Sequence, residues 1–272
     1  MLFRSLQRFA LAAGLLAAGA AAGQAFPSRP VRYIVPFPAG GTVDIIARQI
    51  AQELSKSLGQ QVVVENRAGA SSILGHDFVA KSPPDGHTLI GCNVGPMAIH
   101  PTLYPKMPFD PAKDLALVTI LATVGTVIEV TPSLPVKSIP ELVALAKRRP
   151  GELNFSSSGP GSSTHLTMEL LKERAGVNMT HVVYKGSGPA VIDTMAGYIQ
   201  IMIDNITGSL AYLRAGKLRP LAVASGRRAA VLPEVPTLIE SGFPGFELVS
   251  WQCLGVAAGT PAPIVERLHG EV

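Results

Sequence analysis

Short apolar runs rich in Val, Ile and Leu alternate with helix-patterned segments along nearly the whole chain, and this alternation restricts the fold more than any other feature. VRYIVPF precedes a helical pattern over Val43 to Leu58, QVVVEN precedes one near Ser72 to Lys81, and HTLIGC follows. Strands separated by helices form parallel sheets covered by helices, an α/β architecture. The first helix is the clearest. Val43, Ile46, Ala47, Ile50, Ala51, Leu54 and Leu58 share one face at helical spacing, which marks a core stripe rather than a cofactor box.

The Pro-rich stretch His100 to Pro111 interrupts the pattern, and the β-branched run LALVTILATVGTVIEVTPS after it reads as a crossing between two lobes. Ser138, Pro140 and Glu141 then open a new helix as a capping box, which ends at Pro150-Gly151. Beyond it follow ELNFSSSG, a helix over Ser163 to Ala175, HVVYKG, a short helix over Pro189 to Met195, YIQIMIDN, a helix ending at Gly216, and LRPLAVAS. A second crossing near FELVSWQCLGVAA returns the chain to the first lobe. The predicted organisation is a signal peptide over 1–25, lobe 1 over 26–125, lobe 2 over 126–249 and a return segment over 250–272.

The signal reading rests on Arg4 and Arg8, an uncharged Ala/Leu/Gly stretch, and the small residues Gly23 and Ala25 before Phe26. Cleavage after Ala25 would export the chain to the periplasm. The apolar stretch falls short of the roughly 20 residues a bilayer span needs, and no later segment supplies them. No cysteine follows it to carry a lipid. Without Arg4 and Arg8 the chain holds 21 basic and 19 acidic residues, a balance of +2, and the basic groups are dispersed. That excludes a nucleic-acid footprint. The histidines show no HxxxH or HExxH spacing and the cysteines no CxxC, so neither a metal nor a cofactor is expected. Cys92 and Cys253 each sit in an apolar, strand-like run. Pairing is open to them in an oxidising compartment, but two buried free thiols is the preferred expectation.

The chemistry is carried by a device present in both halves. A strand over Val31 to Phe37 runs into Pro38-Ala39-Gly40-Gly41-Thr42-Val43-Asp44 and directly into a helix. In the second half Leu153 to Ser156 runs into Ser157-Ser158-Gly159-Pro160-Gly161-Ser162-Ser163-Thr164, again directly into a helix. Glycine lets backbone approach a ligand, Ser and Thr cap helices and offer hydroxyls, and a helix start presents unpaired N–H groups to an anion. Such turns also serve simply to reverse the chain. Two of them, in different lobes and beyond the carboxyl ends of strands, favour a clamp on one small anion.

Other residues carry two readings each. Asp44, in the first turn of its helix, suits capping better than ligand contact. His165 is biased toward its neutral form by the helix start, and is either a donor to the ligand, directly or through water, or a local cap. Asp204 and Asn205 end YIQIMIDN where an amino or hydroxyl group could be met; equally, Asn205 only starts the next helix. Lys185 adds a positive charge to the cleft unless it is solvated. A nucleotide-dependent enzyme fits less well, because Thr164 stands where a dinucleotide fingerprint needs its third glycine and HVVYKG ends without an acid for a ribose. A serine hydrolase lacks its GxSxG elbow. A carboxylate-sensing receptor for a signalling partner would use the same lobe closure and stays open.

PFPAGGTVDIIAR, VVVENRAGASSILG, PPDGHTL, SIPELVALAKRRPGELNFSSSGPGSSTHL, HVVYKGSGPAVIDTMAGYIQIMIDN, AGKLRPLAVAS and LPEVPTLIESGFPGFE resemble the substrate-binding proteins of tripartite tricarboxylate transporters, the Bug receptors. The resemblance spans essentially all of the chain beyond the signal. It implies a non-catalytic, two-lobed periplasmic binding protein of the second structural class (a Venus flytrap) that captures a small carboxylate (a di- or tricarboxylate, an aromatic acid or an amino acid) for membrane transporter subunits; a monomer is expected. The resemblance places the ligand carboxylate on the first loop at Phe37, Ala39, Gly41, Thr42 and Asp44. On the second loop it implies Ser157, Ser158, Gly159, Ser162, Thr164 and His165, with Asp204 and Asn205 setting selectivity. Members of the family continue past the point where RLHGEV ends this sequence, so either the chain is shortened or its first lobe is closed in another way.

Overall fold

β1 (Val31–Val35) lies between β2 (Val62–Asn66) and β3 (Thr88–Asn93), parallel to both, in a computed structural model that describes residues 26–272. The signal peptide expected over residues 1–25 lies outside the described residues. α1 (Thr42–Leu58) joins β1 to β2, and α2 (Ile73–Ala80) joins β2 to β3. Val31, Tyr33 and Val35 pack with Val43, Ala47, Ala51 and Leu54 of α1, while Ile34 faces the other side with Ile90 and Cys92. Burial on both faces is why these strands read as unbroken apolar runs. Within the predicted stripe Ile46 and Ile50 are only partly buried and form its edge.

The chain passes through a turn at Gly95–Ile99 and α3 (His100–Leu103) into β4 (Leu115–Val130), a strand of 16 residues whose partners change along its length. Leu115 to Gly125 pairs antiparallel with β9 (Val249–Ala257), whereas Thr126 to Val130 pairs antiparallel with β7 (Ile201–Asn205). β8 (Arg219–Val223) also pairs with this second part. β9 in turn pairs antiparallel with β3. The two β-rich runs read as crossings are thus β4 and β9, which lie side by side.

The second lobe continues through α4 (Ile139–Arg148), β5 (Asn154–Ser156), α5 (Ser163–Ala175), β6 (Thr180–Val182) and α6 (Ser187–Met195). α7 (Ile206–Arg214) follows β7 directly. β5 runs parallel to β6 and β7, so each lobe holds a parallel triplet and gains antiparallel pairs only from the crossing strands and β8. Ile201 and Ile203 face Phe155, Met168 and Leu171, and Met202 faces Val191 and Leu213, again burying a strand on both sides. α4 starts as a capping box with a shifted return bond. Ser138 Oγ accepts from the Glu141 amide at 3.3 Å, but Glu141 accepts from the Lys137 amide, one residue before the cap. α8 (Ala262–Gly270) returns Leu268 to the core of the first lobe.

The expectation of two free thiols is corrected: Cys92 and Cys253 form a disulfide. Both are buried as expected, at 0% and 1% exposure. They stand opposite each other in the β3–β9 register with Cα atoms 4.9 Å apart, close enough for a bond. Their separation of 161 residues hid a pairing that only the return strand creates. Among the described residues no helix is long and apolar enough to cross a membrane.

Candidate ligand-binding site

The loop from β1 to α1 is built around Asp44. Its Oδ2 accepts from the Gly40 amide at 3.0 Å and from Arg48 Nε at 3.0 Å, and its Oδ1 accepts from Asn66 Nδ2 at 2.8 Å. Burial acts to raise its pKa, but the bonds from Arg48, Gly40 and Asn66 prevail and hold the carboxyl below the usual range. Asp44 is therefore occupied within its own loop, in line with capping. That leaves Gly41 as the N-cap without a side chain, and Thr42 as the first helical residue. Thr42 is 4% exposed, and its Oγ1 has no hydrogen-bond partner.

The loop from β5 to α5 is also self-bonded. Ser162 Oγ caps α5 by accepting from the His165 amide at 3.1 Å and donates to the Gly159 carbonyl at 2.7 Å. Thr164 Oγ1 accepts from the Ser158 amide at 3.1 Å, and Ser157 Oγ pairs with His181 Nε2 at 2.9 Å. The His165 ring stacks on His181 at 4.3 Å, and its Nδ1 accepts from the Gly161 amide at 3.3 Å. Burial lowers the His165 pKa, with Glu169 opposing and Lys172 adding to the shift, so the ring is neutral near pH 7 and braces the loop.

Between the loops lies a narrow gap. From the first lobe it is lined by Phe37, Gly41, Thr42, Val43 and Asn93, and from the second by Ser158, Ser187 and Asn205. Three helix starts converge there. Thr42 is the first residue of α1, Ser187 the first of α6 and Asn205 the N-cap of α7. Each start carries unpaired amides and a partial positive charge, and no charged side chain lines the gap. Asn205 is 6% exposed, makes no capping bond, and leaves its Oδ1 without a partner.

Of the residues expected at the site, Phe37, Gly41, Thr42, Ser158 and Asn205 line this gap. Asp44, Ser157, Gly159, Thr164 and His165 shape the two loops behind it, while Ser162 lines a second cavity alongside. Ala39 is exposed, its carbonyl facing Gly188 of the other lobe, and Lys185 is exposed away from the gap. Asp204 sits one layer down at 1% exposure, accepting from Ser187 Oγ at 2.6 Å; burial pushes its pKa up to about 6.

Sequence reasoning missed Asn93 and Ser187. For Ser187 the signal existed: the strand-to-Gly/Ser-to-helix device also occurs at Lys185-Gly-Ser-Gly188, as it does at Arg67-Ala-Gly-Ala-Ser-Ser72, whereas Asn93 ends β3 outside any such loop. Four loops of one kind meet around one cleft.

Two α/β lobes joined by two adjacent crossing strands, with helix starts from both lobes facing one gap, define a solute receptor of the periplasmic binding protein type. The chain belongs to the tripartite tricarboxylate transporter family of receptors, whose family model matches residues 46–272. Protein BugT of Bordetella pertussis is 40% identical over 248 residues, spanning 91% of this chain and 76% of BugT. The R. palustris protein Rpa4515, solved with adipate, is 42% identical with a TM-score of 0.89, over 90% of this chain and 82% of that one. MatC from Rhodopseudomonas palustris, solved with bound malate, is 35% identical with a TM-score of 0.86, over 90% of this chain and 84% of that one. Receptors of this family are periplasmic solute-binding proteins, and the family is not one of enzymes.

Proposed function

We propose that this protein is an exported, non-catalytic receptor that closes its lobes around a small carboxylate and presents it to the membrane subunits of a tripartite tricarboxylate transporter. The observation that carries this reading is Thr42, a residue of the gap lining at the start of a 17-residue helix, whose buried Oγ1 has no hydrogen-bond partner. A buried unpaired hydroxyl costs about 1–3 kcal/mol, a penalty that a bound carboxylate oxygen would remove. The charge of the ligand would rest on amides and hydroxyls at three helix starts, with no arginine needed. Adipate and malate in the two similar structures support the choice of ligand class.

On this reading Phe37, Gly41, Thr42, Ser158, Ser187 and Asn205 touch the ligand. Asp44, Ser157, Gly159, Ser162, Thr164 and His165 hold the loops in shape, and Asp204 tunes the site from behind. The lobe boundary falls at Gly125/Thr126, where β4 changes partners. The chain is exported with its leader removed after Ala25; the disulfide fits an oxidising compartment. It works as a monomer.

A thermal-shift panel of carboxylates on the purified protein tests the reading. A ligand at about 100 times its dissociation constant adds about 2.7 kcal/mol of stability, a readily visible shift. If no carboxylate moves the transition while a nicotinamide nucleotide does, the receptor reading is wrong.

A further inference from the structure

Behind the gap a chain of hydroxyls ends on a buried acid. Ser158 and Ser187 both line the gap with their Oγ atoms 3.1 Å apart, and Ser187 Oγ donates to Asp204 Oδ1 at 2.6 Å. At the other end of the chain Thr164 Oγ1 donates to Ser158 Oγ at 3.1 Å. A hydroxyl has one proton to give and two lone pairs to receive with. Ser187 gives its proton to Asp204, so Ser158 is the donor within the serine pair, and every proton of the chain points toward the acid. Each serine has then given its proton and filled one lone pair. What remains for the gap is the second lone pair, the wrong polarity for a carboxylate oxygen.

Protonation of Asp204 reverses the last link. A neutral carboxyl can donate to Ser187 Oγ, which frees the Ser187 proton for the gap. The surroundings permit this change of state. Asp204 is 1% exposed, and its remaining partners are neutral: the Asn205 amide, and Ser209 Oγ at 3.5 Å. Burial outweighs these bonds and pushes its pKa up to about 6. The titratable group that faces it is Glu129 of β4, which meets it through Ser209 and is itself raised well above the usual carboxylate value by burial. Asp44 of α1 is engaged by Arg48, Gly40 and Asn66, and Asp193 of α6 accepts from Tyr184. Arg214 stands in the last turn of α7, and α5 packs on the opposite face of β7, against Ile201 and Ile203.

We propose that Asp204 is a positioning residue that takes up one solvent proton when a carboxylate binds, so that the Ser187 hydroxyl turns from the acid to the ligand. The proton enters at the gap. Ser187 accepts it on its open lone pair and passes its own proton to Asp204 Oδ1, so one O–H bond forms on the acid and Ser187 stays a hydroxyl. The inference rests on the carboxylate reading of the gap and adds to it a proton that travels with the ligand.

Isothermal titration with malate and with adipate, each in two buffers of different ionisation enthalpy, counts the protons taken up. Because the ligand favours protonated Asp204, affinity is highest at low pH and falls as pH rises past the value of the free acid. Wild type is expected to take up protons on binding near pH 7, and to bind about tenfold more weakly at about pH 8 than at about pH 6. Asp204→Asn carries an amide that can donate to Ser187 at every pH. Its affinity at about pH 8 is expected to match that of wild type at about pH 6 within about threefold, with no proton uptake. Ser187→Ala removes one oxygen at the gap and is expected to bind weakly with little pH dependence, which keeps the inference testable should Asp204→Asn fail to fold. Wild-type binding with no uptake and a flat pH profile overturns the inference and leaves the carboxylate reading intact. Uptake that persists undiminished in both variants does the same. A wild type that binds neither acid at either pH overturns the carboxylate reading and this inference with it.

Discussion

Ser187 donates its hydroxyl to Asp204 across 2.6 Å, directly behind the gap that Ser187 itself lines. The polar layer extends inward from there. Ser209 lies 3.5 Å from the other Asp204 oxygen and donates to Glu129 at 2.6 Å, so two fully buried acids share a serine. Burial is the largest influence on both: it pushes Asp204 up to about 6 and Glu129 well above the usual carboxylate value. Gly208 makes room for this arrangement, since a Cβ there would come within 2.5 Å of Asp204 Oδ2.

Stability should therefore carry a pH dependence traceable to Asp204. A carboxyl whose pKa is raised on folding holds more protons folded than unfolded, so its contribution is present at low pH and is lost as pH rises through the folded value. For Asp204 the window runs from 3.8 to about 6, and the full shift corresponds to about 3 kcal/mol at most. Asp204→Asn should gain stability relative to wild type as pH rises across that window, and the advantage should level off above it. Urea unfolding of both proteins at a series of pH values measures this. A difference that stays constant with pH would mean that Asp204 titrates as a solvated acid.

The disulfide joins the outgoing strand β3 to the return strand β9 and closes a loop of 161 residues. Cross-links over long loops restrict the unfolded chain most, and removing a native one typically costs about 2–4 kcal/mol. Replacing both Cys92 and Cys253 with alanine should lower the urea midpoint accordingly. A thiol reductant should bring wild type toward the variant during unfolding and leave the variant unchanged. Equal midpoints for the two oxidised proteins would show that β9 is held on β3 without the bond.

Thr42 and Thr164 both belong to Gly/Ser-rich loops, yet they should respond oppositely to truncation. Thr164 Oγ1 bonds to the Ser158 amide and to the hydroxyls of Ser158 and Ser162, so Thr164→Ala removes loop structure and should cost about 1–3 kcal/mol of ligand-free stability. Thr42 Oγ1 bonds nothing, so Thr42→Val should leave ligand-free stability unchanged or higher while weakening carboxylate binding about tenfold. His165→Ala should behave like Thr164→Ala, because its ring serves Gly161 and His181. Titration calorimetry and thermal unfolding separate the two effects. Loss of ligand-free stability in Thr42→Val would assign that hydroxyl to the helix start.

The alternation of strands and helices was legible because buried parallel strands leave continuous apolar runs and α1 leaves a stripe. The crossings were legible too, since a 16-residue β-branched run exceeds what one lobe can use. The two gap-facing loops could be read from glycine and hydroxyl density at helix starts. Direction could not be read. Whether Ser158 or Ser157 faces the gap depends on loop hydrogen bonds, and Asp44 is drawn inward by Asn66, 22 residues away. Cys92 and Cys253 looked independent because their contact exists only in the β3–β9 register.

The close approach of the two lobes depends on small residues at the start of α6. Gly188 is its second residue, and a Cβ built there would lie 2.6 Å from the Ala39 carbonyl of the opposite lobe. That oxygen belongs to backbone and cannot swing aside as a side-chain tip would. Within α6 itself alanine favours the helix by about 1 kcal/mol over glycine, so Gly188→Ala should leave the second lobe as stable or more so. The cost falls on the closed arrangement alone. A ligand that selects the closed form would then bind at least about tenfold more weakly, by mass action on the open–closed equilibrium. Small-angle scattering with saturating ligand should show a larger radius of gyration for Gly188→Ala than for wild type. Unchanged affinity together with an unchanged radius would mean that the Pro38-Ala39 loop and α6 stand apart in the ligand-bound protein.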